Sequence, residues 1–138
     1  MPPAPDAPIS VLVVDDVAAV RDGILMALAG DPGFAVWGAA GSGADALAQL
    51  DRDPPPGRPD AVLVDVRMPG MTGIELVAEL TALYPGLPCV MLSAHPASYY
   101  AERARAAGAR GYVEKGRIGE ALEAVRRALA GPGWVTGG

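Results

Sequence analysis

The sequence predicts a doubly wound α/β domain, a parallel sheet with helices on both faces. Three observations carry that prediction. Short apolar runs rich in β-branched residues recur along the chain, segments with apolar residues at helical spacing lie between them, and the strand-then-helix alternation is completed five times within 138 residues. Continuous rather than alternating apolarity marks strands covered on both faces, as in a parallel sheet. A chain of this length fits one domain and can bury a real core.

The first strand is ISVLVV (9–14), which stops at Asp15 and Asp16. Val17, Val20, Ile24 and Leu28 form the stripe of the helix that follows. FAVWGAA (34–40) is the second strand; after it Ser42 is a candidate cap for a shorter helix striped by Ala44, Leu47 and Leu50. RDPPPGRP (52–59) is a proline-rich connection expected on the surface, and AVLV (61–64) is the third strand, ending at Asp65. Thr72 is a candidate cap for the helix opening at Gly73, whose stripe is Ile74, Val77, Leu80 and Leu83. PCVML (88–92) is the fourth strand and runs into Ser93. The fourth helix, roughly 97–107, offers mainly alanine to the core, so it should be weakly anchored and easy to shift. GYV (111–113) is a short fifth strand followed by Lys115, and Ile118, Leu122, Val125 and Leu129 stripe the last helix. The short links imply right-handed crossovers.

Residues 9–130 are thus assigned to the domain, 1–8 to a flexible leader and 131–138 to a tail or the start of a linker. The leader, MPPAPDAP, has no basic residue and no apolar stretch, so it does not read as a secretory signal. No apolar run approaches the roughly 20 residues that span a bilayer. The single cysteine, Cys89, lies in LPCVMLSA and is expected to be a buried, inert thiol in a reducing, cytoplasmic setting. A net charge of −5 argues against an all-round nucleic-acid binder. Its distribution is uneven: all but four acids precede Pro96, and seven of the eleven basic residues follow it. Two faces with different partners, or one internal neutralisation, would account for that split.

In a parallel sheet of this kind the binding crevice lies beyond the carboxyl ends of the strands. Those ends carry Asp15 and Asp16, Asp65, Ser93 and, after the fifth, Lys115. Carboxylates packed together repel one another unless cations neutralise them. Lys115 supplies one positive charge, and a divalent ion with oxygen ligands would supply the rest; Mg²⁺ suits one or two direct carboxylates plus waters. An ionised carboxylate needs no general base to accept a phosphoryl group when a metal and an ammonium stabilise the equatorial oxygens. A hydroxyl such as Ser93 can donate to the new group. Asp at a strand end often only caps a helix, so the weight rests on the joint pattern.

The residues DD at 15–16, VDVRMPGMTG at 64–73, LSA at 92–94 and GYVEK at 111–115 resemble the receiver domain of bacterial two-component response regulators, from about Ile9 to Ala130. That resemblance implies a flavodoxin-like (CheY-like) five-stranded fold with strand order 2-1-3-4-5. It implies that Asp65 accepts a phosphoryl group from the phosphohistidine of a sensor histidine kinase. By the same resemblance Asp15, Asp16, Asp65 and the backbone carbonyl of Arg67 would hold Mg²⁺, with Asp16 the favoured direct ligand. Lys115 would pair with the phosphoryl oxygens, Ser93 would be drawn toward them, and Tyr112 would swing inward as Ser93 moves. The chain would catalyse only its own phosphoryl transfer and dephosphorylation. One departure is Gly116, which stands where many receivers have a proline, often after a cis peptide.

His95 and Arg67 are expected at the rim of the site, tuning how long the phosphoryl group lasts; Trp37 and Tyr84 read as packing residues. AGARGYVEK and the tail AGPGWVT resemble receivers that precede a LuxR-type helix-turn-helix domain. The implied output is transcription through a DNA-binding domain beyond this chain, though a stand-alone receiver remains a second reading. The basic back half, with Arg103, Arg105, Arg110, Arg117, Arg126 and Arg127, offers contacts for a homodimer formed on phosphorylation or for an output domain. Two rivals come from other classes. An aspartyl-phosphate hydrolase would carry a second acid where Arg67 stands, and a phosphorylation-independent interaction module would lack one of the acids or the lysine.

Overall fold

A computed structural model describes residues 7–52, 57–131 and 133–136. Most of the leader, and the centre of the proline-rich connection, lie outside the described residues. The order of elements is β1 (Ile9–Val14), α1 (Ala18–Ala29), β2 (Phe34–Ala40), α2 (Gly43–Leu50), β3 (Ala61–Asp65), α3 (Gly73–Leu83), β4 (Cys89–Ser93), α4 (Ala97–Ala107), β5 (Gly111–Glu114), α5 (Ile118–Ala130) and β6 (Val135–Thr136). All the strand pairings are parallel, in the order β2-β1-β3-β4-β5-β6. The order expected for the first five strands is therefore the observed one. The sixth strand is an addition: two residues assigned from sequence to the tail pair with the outer edge of β5.

Alternate residues of each strand feed two separate cores. Leu12, Val14, Val62, Val64 and Met91 pack with Leu76, Val77 and Leu80 of α3 and with Ala104 of α4. Val11, Val13, Leu63, Val90 and Leu92 pack with Ile24 and Leu28 of α1 and with Leu122 and Val125 of α5. β1 and β3 to β5 are buried almost throughout, as continuous apolarity requires. β2 departs from that rule, because it is an edge strand with only Phe34 and Ala40 buried. Its register slips against β1 between Val11 and Leu12, leaving Trp37 without a partner. The indole of Trp37 donates instead to the carbonyl of Gly57, 2.9 Å away.

The helices follow their expected spans with shifted faces. Val17 is the residue before α1 rather than part of its buried stripe, and it is 47% exposed. In α2 Gly43, Ala46 and Leu50 are buried and Ala44 is exposed, because alanine is too small to mark which face turns inward. Ser42 does cap α2, accepting from the Asp45 amide at 3.1 Å. Thr72 caps α3 in a reciprocal box with Glu75, which holds the Glu75 carboxyl below its usual range. Leu76 of α3, absent from the expected stripe, is fully buried, and Leu83 is exposed. α4 buries Ala104 alone, as its composition suggests. Among the described residues no helix is long and apolar enough to cross a membrane.

Candidate functional site

The chain enters the sheet at β1, one strand in from an edge, steps out to β2 at that edge and then crosses to β3 on the other side of β1. The reversal between β1 and β3 opens a crevice at the carboxyl ends of both strands, where open α/β sheets bind ligands. Asp15 and Asp16 follow β1, and Asp65 ends β3. One carboxylate oxygen from each of these three lies within 4.8 Å of the other two. Asp15 and Asp65 are buried, whereas Asp16 is exposed at the mouth. Lys115, just past β5, reaches across with Nζ 2.9 Å from Oδ2 of Asp15 and 3.3 Å from Oδ1 of Asp65.

Local backbone geometry holds each group. The Val17 amide donates to Oδ1 of Asp15 at 2.9 Å, and Nη1 of Arg21 donates to the Asp15 carbonyl at 2.8 Å. The Lys115 amide donates to the Ser93 carbonyl at 2.6 Å, tying the lysine to the end of β4. Gly116 then takes φ +92°, a left-handed conformation that glycine adopts at little cost. That glycine makes the turn between Lys115 and α5. Gly73 opens α3 against the end of β3: its amide donates to the Val66 carbonyl at 2.8 Å, and a Cβ at this position would collide with the carbonyl oxygen of Asp65. Sequence reading places Gly73 at the helix start without giving it this role. A poor helix former in the first turn was the available signal.

Burial and then the charge of Asp15 push the Asp65 carboxyl above its ordinary range, while Lys115 and a backbone hydrogen bond from Arg67 pull against them. Burial alone would lower the Lys115 ammonium, but the Asp15 and Asp65 carboxylates outweigh it and hold it above its ordinary value. Three carboxyl groups thus gather around one ammonium, so the acids outnumber the lysine that bridges two of them. Oδ2 of Asp15 is buried and faces the Lys115 ammonium at 2.9 Å. An all-oxygen set of this kind, with three carboxylates converging within 4.8 Å, fits a small hard divalent cation such as Mg²⁺.

Ser93 follows Leu92, the residue of β4 registered with Asp65, and is 1% exposed. Its hydroxyl oxygen accepts from the His95 amide at 3.0 Å. The ring of Tyr112 lies inside, 1% exposed. The phenol donates to the His95 carbonyl at 2.9 Å and also contacts the Pro96 carbonyl at 3.4 Å. Burial raises the phenol above its ordinary pKa, and the Ser93 hydroxyl pulls it back. His95 stands half-buried at the rim, its ring 5.8 Å from that of Tyr99 and 5.4 Å from that of Tyr100. Arg67 is exposed. Tyr84 carries the Arg58 guanidinium 4.3 Å above its ring, far from the acidic crevice at the opposite end of the sheet.

Residues 11–126 match the family model described as the response regulator receiver domain. The chain is 40% identical over 124 residues to the DNA-binding transcriptional activator DevR/DosR of Mycobacterium tuberculosis, covering 89% of this chain and 55% of that protein. It is 38% identical over 129 residues to the response regulator GacA of Pseudomonas aeruginosa, covering 93% of this chain and 58% of that protein. The chain thus spans little more than half the length of these curated relatives. Among solved structures, a two-component response regulator of the LuxR family from Aurantimonas sp. SI85-9A1 superposes with a TM-score of 0.83 at 28% identity, covering 94% of this chain and 89% of that one.

Proposed function

Because this chain belongs to the response regulator receiver domain family, we propose that Asp65 accepts a phosphoryl group from the phosphohistidine of a sensor histidine kinase and that the new charge switches an output. The observation that carries this reading is the meeting of three carboxylates with Lys115 at the crevice between β1 and β3. In the transfer, an ionised Asp65 oxygen attacks phosphorus. The P–O bond forms as the P–N bond to the imidazole breaks, and the electron pair returns to the ring nitrogen. Lys115 moves with its charge toward the transferred oxygens, and the Ser93 hydroxyl donates to one of them. Asp15, Asp16, Asp65 and the backbone carbonyl of Arg67 would hold Mg²⁺. Bound there, the ion would neutralise charge on the transferring oxygens.

Phosphorylation replaces the single negative charge of the Asp65 carboxylate with an acyl phosphate of about −2, a net gain of about one negative charge. It shifts the domain only as far as that charge stabilises one state over the other. With Tyr112 already inside, the switch is better described as two positions in exchange than as a ring driven in from solvent. The kinase would face the outer side of α1, where Ala18, Ala19, Asp22 and Met26 are exposed. Beside it a cleft of about 250 Å³ opens between Val20, Ile24, Leu92 and the Lys115–Gly116 turn. The proposed output is transcription through a DNA-binding domain outside this chain, in the cytoplasm, supported by the likeness to a DNA-binding transcriptional activator.

Acetyl phosphate with Mg²⁺ should add one phosphoryl group to the intact mass, and Asp65→Asn should abolish the gain. Labelling that persists in the variant would move the acceptor elsewhere. Chelating the divalent ion should slow labelling by at least about tenfold, as removal of a transition-state charge stabiliser does.

A further inference from the structure

We propose that β6 and Trp134 brace α4, so that docking of the C-terminal strand and the position of α4 form one coupled equilibrium. Of all the residues in α4 only Ala104 is buried. Its two ends, however, are each tied to the same neighbouring unit. At the amino end, the Tyr112 phenol of β5 donates to the carbonyls of His95 and Pro96, the two residues that lead into the helix. At the carboxyl end, the Arg105 guanidinium lies 5.8 Å from the ring centroid of Trp134. Trp134 is half-buried and packs against the core that contains Ala104, Ala109 and Tyr112.

The two ties are joined through the sheet. β6 pairs with β5 in a register that sets Val135 against Gly111 and Thr136 against Tyr112. Gly108, which ends α4 at φ +114°, leads straight back into β5. A displacement of α4 therefore strains the Tyr112 contacts, the Arg105–Trp134 contact, or both. Conversely, lifting β6 from the edge of β5 removes the aromatic surface under Arg105. Coupling of this kind is reciprocal: whatever favours one position of α4 favours the matching state of the tail. The brace stands on geometry alone, while its use to carry a phosphorylation signal rests on the function proposed above.

Hydrogen exchange on the whole chain tests the brace without phosphorylation. In Trp134→Ala the amides of α4 should exchange at least about fivefold faster, the lower end of ordinary coupling between sites. Those of α1 and α3 should be unchanged, and Trp134→Phe, which keeps a ring under Arg105, should restore most of the protection. Unchanged exchange in α4, or equal acceleration across the domain, would overturn the proposal. A second measurement reads the signal. With Trp37→Phe, Trp134 is the sole tryptophan, and acetyl phosphate with Mg²⁺ should shift its emission once the intact mass shows the added phosphoryl group. A phosphorylated protein with unaltered Trp134 emission overturns the signalling role. Failure to gain mass counts against the function proposed for Asp65, and the exchange result still decides the brace.

Discussion

α4 and α5 flank the same strand and are of similar length, 11 and 13 residues, yet they are held in different ways. α5 buries Ala121, Leu122, Ala124, Val125 and Ala128 against the core it shares with α1. α4 buries one alanine and begins at Pro96 with no side-chain cap, where α3 has a full capping box. Since burial of apolar area dominates the anchoring of a helix, α5 belongs to the rigid frame and α4 is the part that polar contacts at its ends must position. Those polar contacts lead to Ser93, His95 and Tyr112, next to the acidic crevice. α4 and α5 thus flank β5 from opposite faces of the sheet.

The sharpest way to break this contrast is to damage each helix in turn. Leu122→Ala should cost about 2–5 kcal/mol in a denaturant titration, the usual range for truncating a buried leucine. Ala104→Gly should cost about 1 kcal/mol, mostly lost helix propensity. Equal losses would mean that α4 is anchored as firmly as α5.

A smaller effect should come from the acid between them. Burial raises the Asp65 carboxyl, so the folded state holds its proton more tightly than the unfolded chain does. Ionising Asp65 therefore costs stability, a cost absent below the ordinary carboxylate value of 3.8 and complete above the raised one. In chelator, Asp65→Asn should melt a few degrees higher than the parent protein at pH 7, the gain fading as pH falls toward the ordinary carboxylate range. A gain that persists in strong acid would assign it to something other than this charge. Hydrogen exchange on the same variant should then show its changes in α4 rather than α5.

The smallest expected signal is a rate close to zero. Cys89 opens β4 on the α4 side of the sheet, and burial pushes its thiol up to about 12. Native protein at pH 8 should resist alkylation, with labelling that tracks global unfolding as urea rises. Labelling well ahead of unfolding would show that the α4 side opens far enough to bare β4.

How much of this was legible in the sequence depended on side-chain size and on distance along the chain. Strands buried on both faces announced themselves, and so did the acids and the lysine at their ends. Asp15, Asp65 and Lys115 meet as their positions in the strand order require. The face of α2 was not legible, because Ala44 and Ala46 carry nearly the same weak signal. The exposure of β2 follows from its place at the sheet edge, which no local pattern records. β6 escaped because a two-residue strand has no periodicity and exists only by pairing with β5.

Gly73 sets a limit on where the molecule can yield. The first turn of α3 sits so close to the main chain of Asp65 that even a methyl group would not fit between them. On that flank α3 already touches the main chain of Asp65, so the end of β3 cannot move toward the helix. Under the proposed phosphorylation, any shift of that strand end is left to the side of β4, so a missing side chain sets its direction.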